Sequence, residues 1–183
     1  GNGTFVVVGG TEFIPDDTSL PSGSGIILSS TDGIIWTRRT ADSLRVFGGV
    51  TYGNGMFVAV GGGDEIISSQ NGITWTTRRP GTEGPEWLRG VTYGNGIFVV
   101  AGVRMRTYIS YDGIVWTYKQ FEQIYAVTYG SGTFVAVGSF GTILQSGVLN
   151  TREILATADA NGAISPTGSV RLSEGESQTF TIT

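Results

Sequence analysis

Four near-copies of one nine-residue phrase constrain this chain more than anything else in it. Gly1-Asn2-Gly3-Thr4-Phe5-Val6-Val7-Val8-Gly9 returns from Gly53 to Gly61 (GNGMFVAVG), from Gly94 to Gly102 (GNGIFVVAG) and from Gly130 to Gly138 (GSGTFVAVG). A second phrase alternates with it: Ser30-Thr31-Asp32-Gly33-Ile34-Ile35-Trp36, Ser69-Gln70-Asn71-Gly72-Ile73-Thr74-Trp75 and Ser110-Tyr111-Asp112-Gly113-Ile114-Val115-Trp116. Trp36 and Trp75 are 39 residues apart, Trp75 and Trp116 41. A unit of about 40 residues holding several short strands is the size of one four-stranded propeller blade.

The interior of a unit agrees with that size. In the second one, Val46 to Tyr52, Met56 to Val60, Glu65 to Ser69 and Ile73 to Thr77 are short runs rich in β-branched and aromatic residues, as strands are. Gly53-Asn54-Gly55 and Asn71-Gly72 stand between them. Asn-Gly and Asp-Gly are strong hairpin signals, because type I′ turns need positive φ at both central residues. No 3.6-residue apolar period is sustained through residues 1–147, so essentially no helix is expected.

With the strands of a unit called A to D, residues 1–147 read B, C, D; A, B, C, D; A, B, C, D; A, B, C. The expected fold is all-β: a β-propeller of four-stranded antiparallel blades, about three and a half of them present. A propeller removes exposed sheet edges by closing into a ring, and here the first blade lacks A and the last lacks an obvious D. Further chain upstream is expected to complete the array, the alternative being that a neighbouring copy supplies the missing strands in a homo-oligomer or filament.

After Ser146 the pattern stops. Residues 148–157 read as a linker or closing strand, and 158–183 as the start of a small β module with a short C-terminal β segment, since Ser169-Val170-Arg171-Leu172 and Gln178-Thr179-Phe180-Thr181-Ile182 alternate polar with apolar. So few large apolar groups cannot bury a core alone.

Composition excludes several function classes. The net charge of −4, with charged residues only 14% of the chain, argues against nucleic acid or an anionic membrane as partner. There is no Cys and no His, which removes thiolate nucleophiles, disulfides, His-based triads and Cys or His metal sites from these residues. No apolar run is long enough to span a membrane as a helix. Asp159-Ala160-Asn161-Gly162 has too few ligands for a calcium loop. No cofactor and no metal are expected.

The Ser-x-Asp-Gly-x-x-Trp phrase, at Ser30, Asp32, Gly33 and Trp36, at Ser69, Asn71, Gly72 and Trp75, and at Ser110, Asp112, Gly113 and Trp116, resembles the Asp-box (BNR-like) repeat of sialidases and of photosystem assembly factor-like propellers, shortened by one residue between Asp and Gly. The residues imply a structural role: a short Asp or Asn side chain bonds the turn backbone, Gly accepts positive φ and Trp covers the hairpin. The sialidase likeness would further imply an arginine cluster, a tyrosine nucleophile and an Arg-Ile-Pro signature. Phe13-Ile14-Pro15 lacks the arginine, and Arg38, Arg39, Arg78 and Arg79 follow the box tryptophans on the outermost strand, where a solvated edge is expected. The tail, through Gly162-Ala163-Ile164-Ser165-Pro166-Thr167-Gly168 and Gly175 to Ile182, resembles the opening of the internalin-type B-repeats of bacterial surface proteins.

Together these readings predict a non-enzymatic β-propeller module, extracellular or at a bacterial cell surface, structural or binding in role. Its partners would be the rest of a longer chain, a neighbouring copy, a glycan or a surface protein. A carbohydrate-binding or glycoside-hydrolase propeller is the alternative, for which Asp16-Asp17, Asp64-Glu65, Glu83 and Glu86 are the candidate paired acids. In an A–B–C–D meander the A–B and C–D turns share one end and the B–C and D–A connections the other. The first set is monotonous here and the second varied, and function favours variable loops on a rigid scaffold. Phe13, Asp16, Asp17, Trp87, Arg104, Arg106 and Phe121 are the candidate binding residues, Trp87 foremost because an aromatic in a Pro/Gly-rich loop suits sugar or protein contact, the alternative for it being a plug at the top of the central channel or a packing anchor. Tyr52, Tyr93 and Tyr129 recur in phase and are expected to pack blade on blade.

Overall fold

The computed structural model describes residues 1–10, 25–40, 45–78, 87–147, 151–158, 162–173 and 178–183. Its turns follow directly from the repeated phrase. Asn2-Gly3, Asn54-Gly55, Asn95-Gly96 and Ser131-Gly132 all hold positive φ at both positions, between 45° and 78°. That is the type I′ geometry whose twist matches the strands it joins. The strands on either side fall accordingly: β1 (Phe5–Gly10), β2 (Gly25–Ser30) and β3 (Thr37–Arg39); β4 (Phe47–Gly53), β5 (Met56–Gly61), β6 (Glu65–Ser69) and β7 (Thr76–Thr77). Next come β8 (Leu88–Gly94), β9 (Ile97–Gly102), β10 (Arg106–Ser110) and β11 (Thr117–Gln120), then β12 (Ile124–Gly130), β13 (Thr133–Gly138) and β14 (Ile143–Gln145). The single helical piece among the described residues is a 3-10 turn at Ser139–Gly141.

These strands form four antiparallel sheets in chain order: β1-β2-β3, β4-β5-β6-β7, β8-β9-β10-β11 and β12-β13-β14. The sheets stack face to face, and the resulting all-β arrangement is propeller-like. Side-chain alternation divides each sheet between its two neighbours. In the second sheet, Phe57, Ala59, Ile67 and Trp75 pack with Ile27, Val6 and Val8 of the first. Met56, Val58, Val60 and Ile66 point the other way, onto Leu88, Phe98, Val100, Tyr108 and Trp116 of the third. Being covered on both faces, β5 and β6 are buried throughout.

One joint recurs three times. The tyrosine of the first strand lies over the glycine that opens the A–B turn of the preceding sheet: Tyr52 over Gly1, Tyr93 over Gly53, Tyr129 over Gly94. Each ring then tilts against its own sheet's phenylalanine, Tyr52 on Phe57 and Tyr93 on Phe98 at 4.6 Å, Tyr129 on Phe134 at 4.8 Å. Phe57 and Phe98 continue the column to Trp75 and Trp116 at 6.4 and 6.3 Å. Tilted aromatic pairs at such spacings add to the area they bury. The in-phase tyrosines therefore pack sheet on sheet. Deeper along the first strands the backbones approach closely, with Gly49 facing Gly90 and Val91, and Gly90 facing Ala126 and Val127.

The tail forms separate pairs. β15 (Thr151–Ala156) pairs antiparallel with β17 (Gly168–Ser173), and β16 (Ile164–Ser165) with β18 (Thr181–Ile182). Residues 151–156 therefore belong with the tail sheets rather than beside β14.

Candidate functional site

The box phrases form three copies of one turn. Gly33 N–H donates to Ser30 Oγ at 2.8 Å, while Ile34 and Ile35 N–H donate to Asp32 Oδ1 at 2.8 and 2.9 Å. Gly72 N–H reaches Ser69 Oγ at 2.9 Å, and Ile73 and Thr74 N–H reach Asn71 Oδ1 at 2.8 and 3.0 Å. Gly113 N–H reaches Ser110 Oγ at 2.9 Å, and Ile114 and Val115 N–H reach Asp112 Oδ1 at 2.8 and 2.9 Å. Each serine hydroxyl also donates to its Asp or Asn oxygen, at 2.8, 3.2 and 3.0 Å. Gly33, Gly72 and Gly113 take φ of 70–74°, the left-handed region a side chain avoids. The backbone donors of Ile34 and Ile35 hold the Asp32 carboxyl below its ordinary value of 3.8, and those of Val115 and Ile114 do the same for Asp112. One side-chain oxygen thus satisfies two backbone N–H groups, and these acids are occupied in closing turns.

The box tryptophans differ by position in the stack. Trp75 and Trp116 are buried against the preceding sheet, their indole N–H without a partner among the described residues. Trp36 is 38% exposed and donates to Gly33 O at 3.2 Å. The arginines after the box do more than line a solvated edge: Arg39 and Arg78 Nε donate to Ser29 and Ser68 Oγ of the neighbouring strand, at 2.7 and 2.9 Å.

At the opposite end, the B–C and D–A connections are tied to one another by backbone bonds. Trp87 forms an antiparallel bridge with Gly62 and accepts from Val103 N–H at 3.1 Å. Phe121 N–H donates to Met105 O at 2.8 Å, Ser139 N–H to Gln123 O at 3.0 Å, and Thr142 Oγ1 to Glu122 Oε2 at 2.5 Å. These bonds place Trp87, Arg104 and Phe121 at one end of the stack. Trp87, Met105 and Phe121 are exposed there, and Phe140 stands wholly in solvent at the β13–β14 turn. Arg106, next to Met105 and paired with Gln120 of β11, holds its guanidinium over the Tyr118 ring at 5.2 Å. Phe13, Asp16 and Asp17, like Arg79, Glu83, Glu86, Asp159 and Asn161, lie outside the described residues.

Sequence reasoning missed Met105, Phe140 and the pair Arg89–Tyr125. Arg89 and Tyr125 sit where β8 and β12 shift register, the guanidinium 5.6 Å from the ring centre. The signal was available, because both residues occupy the place that is Gly48 in β4, where the register shifts in the same way. A polar groove of about 320 Å³, lined in part by Gln70, Asn71, Arg78 and Ile114, separates the second and third box turns. Among the described residues no group of acidic side chains is placed to hold a metal ion, and no helix is long and apolar enough to cross a membrane.

No family model matches the chain, and no curated protein does. Among solved structures, the computationally designed Ika8 protein aligns with a TM-score of 0.47 at 12% identity, over 68% of this chain and 43% of that one. An alpha-L-arabinofuranosidase from Clostridium thermocellum aligns with a TM-score of 0.44 at 15% identity, over 79% of this chain and 64% of that one. The chain spans less than two thirds of either protein.

Proposed function

We propose that this chain is a non-enzymatic propeller module of an extracellular or surface-attached bacterial protein, a rigid unit that binds through its connection end. Its sheets serve as blades with Asp-box-like turns, and its tail opens a B-repeat-like β module. The observation that carries the reading is the row of exposed apolar side chains, Trp87, Met105, Phe121 and Phe140, on connections fastened to one another by backbone hydrogen bonds. Rigid aromatic side chains lose little entropy on contact and carry most of the energy of protein and sugar interfaces. The repeated acids, by contrast, are committed to turns.

The exposed Trp87 also favours a second reading, carbohydrate binding, since a flat aromatic face suits a sugar ring. The two are separated by titrating the chain with a glycan panel, with aryl glycosides as hydrolysis probes, beside a pull-down from bacterial surface protein. The proposal expects no turnover, and a ligand whose affinity falls at least about tenfold in Trp87→Ala or Phe140→Ala. Steady hydrolysis of any probe, or binding that both substitutions leave unchanged, would overturn it.

A further inference from the structure

The first and fourth sheets each have a face that meets no other sheet among the described residues, and the two faces differ. The outward face of the first sheet carries Phe5, Val7, Leu28 and Trp36. They stand where Phe57, Ala59, Ile67 and Trp75 stand in the second sheet, as the pairings Phe5↔Ser30 and Val7↔Leu28 against Phe57↔Ser69 and Ala59↔Ile67 show. The outward face of the fourth sheet carries Val135, Val137 and Ile143, in the places of Val6, Val8 and Ile27, because Val137↔Ile143 repeats Val8↔Ile27 and Val60↔Ile66.

Within the chain these two sets meet at the first two joints. Val6, Val8 and Ile27 pack on Phe57, Ala59, Ile67 and Trp75, and Val58, Val60 and Ile66 pack on Phe98, Val100, Tyr108 and Trp116. Position in the stack alone sets the exposure: Phe5 is 56% exposed, whereas Phe57 is 2% and Phe98 0%. Val137 is 43% and Ile143 72% exposed, whereas Val60 and Ile66 are 0%.

We infer that the fourth sheet of one copy stacks on the first sheet of a second copy, a head-to-tail joint that repeats the apolar side-chain packing of the internal ones without their tyrosine-on-glycine contact, since the first sheet opens at β1. The inference rests on the reading of this chain as a structural module, and it goes further by naming the partner as a second copy and giving the residues of the joint. Such a contact is heterologous: it uses two different surfaces, and it closes into a ring or extends into a fibre according to its rotation. The joint buries side chains rather than exchanging strands, so each copy keeps its own hydrogen-bonded sheets.

The test is light scattering after size exclusion, over a concentration series of the full 183-residue chain, with Phe5→Asp and Val137→Asp variants. Wild type should exceed 19.3 kDa increasingly with concentration. Each variant alone should remain a monomer, its self-association weakened at least about tenfold. An equimolar mixture should form a one-to-one dimer that grows no further, because one intact Phe5 face and one intact Val137 face remain. Near-UV circular dichroism establishes that the variants are folded, and Phe5→Ser with Val137→Thr repeats the cross with a smaller disturbance. A wild type that stays monomeric overturns the inference, and so does association that the cross fails to restore. Neither result touches Trp87 or Phe140, so ligand binding at the connection end can survive loss of the joint, and the joint can survive loss of binding.

Discussion

Gly94 and Gly130 occupy the same place in successive units, and substituting each by alanine isolates what one sheet-to-sheet joint contributes. Neither glycine has a left-handed φ, so alanine is compatible with either backbone. They differ in what covers them. A Cβ on Gly94 would fall inside the ring of Tyr129, at the root of that side chain, whereas a Cβ on Gly130 meets nothing within 4 Å. In Gly94→Ala the ring has to swing away, loosening its pairing with Phe134 at 4.8 Å. Such an aromatic pair contributes about 0.5–1.5 kcal/mol, and forced overpacking costs about 1–3 kcal/mol. The stiffer unfolded chain returns about 0.4–1 kcal/mol. The net expectation is a loss of about 1–3 kcal/mol for Gly94→Ala, against no loss or a gain below about 1 kcal/mol for Gly130→Ala. Guanidinium unfolding followed by tryptophan fluorescence at high dilution reads both. Equal midpoints within about 0.5 kcal/mol would refute the claim that Tyr129 on Gly94 locks the third sheet to the fourth.

Four further outcomes follow from the same geometry. Phe98→Ala should cost about 3–5 kcal/mol and Phe5→Ala far less, since the two equivalent rings are 0% and 56% exposed; denaturation at high dilution compares them. Ser131→Asn should stabilise the chain by part of the about 1–2 kcal/mol that left-handed backbone costs most residues, because Ser131 holds φ of 50° in a turn whose counterparts are Asn54 and Asn95; a raised midpoint in the same assay checks it. Asp32 and Asp112 have lowered folded pKa values, so their contribution is complete above the unfolded value and is lost as pH falls through the folded one. Acid unfolding should therefore begin below about pH 4, and the Asp32→Asn, Asp112→Asn double variant should flatten that limb, since Asn71 builds the same turn without titrating. Trp87→Ala should leave the unfolding midpoint within about 0.5 kcal/mol while weakening whatever binds at the connection end.

The turns and strands were legible because the repeat writes them in local chemistry. Asn54-Gly55 can adopt two positive φ values in succession, which sets the hairpin, and period-2 alternation then fixes that Phe57 and Val58 face opposite neighbours. The box was legible for the same reason, since Ser69, Asn71 and Gly72 satisfy one another within four residues. What the sequence concealed depends on distance along the chain. Arg39 and Arg78 read as edge charges, yet each spans ten residues back to a serine. Arg106 read as a loop residue, but its guanidinium lies over Tyr118. Phe140 and Met105 gave no motif signal, and only the meander, which brings the described B–C turns to the end that holds Phe121, gathers them there.

A repeat also sorts its residues by purpose. A side chain that recurs in phase answers a demand present in every unit, and here each such demand is a turn to close or a neighbouring sheet to meet. Specific recognition needs residues that break the phase, because a surface that repeats identically offers no single place to bind. Trp87, Arg89, Met105, Tyr125 and Phe140 break it, and all of them sit on or beside the B–C and D–A connections. Phe5, Val7, Val137 and Ile143 keep the phase and are exposed all the same. An in-phase apolar residue left in water is the surface that the second-copy joint inferred above would cover. Two kinds of exposed apolar surface therefore serve two purposes on one chain: the out-of-phase row is suited to a foreign ligand, and the in-phase faces are suited to more of the same fold.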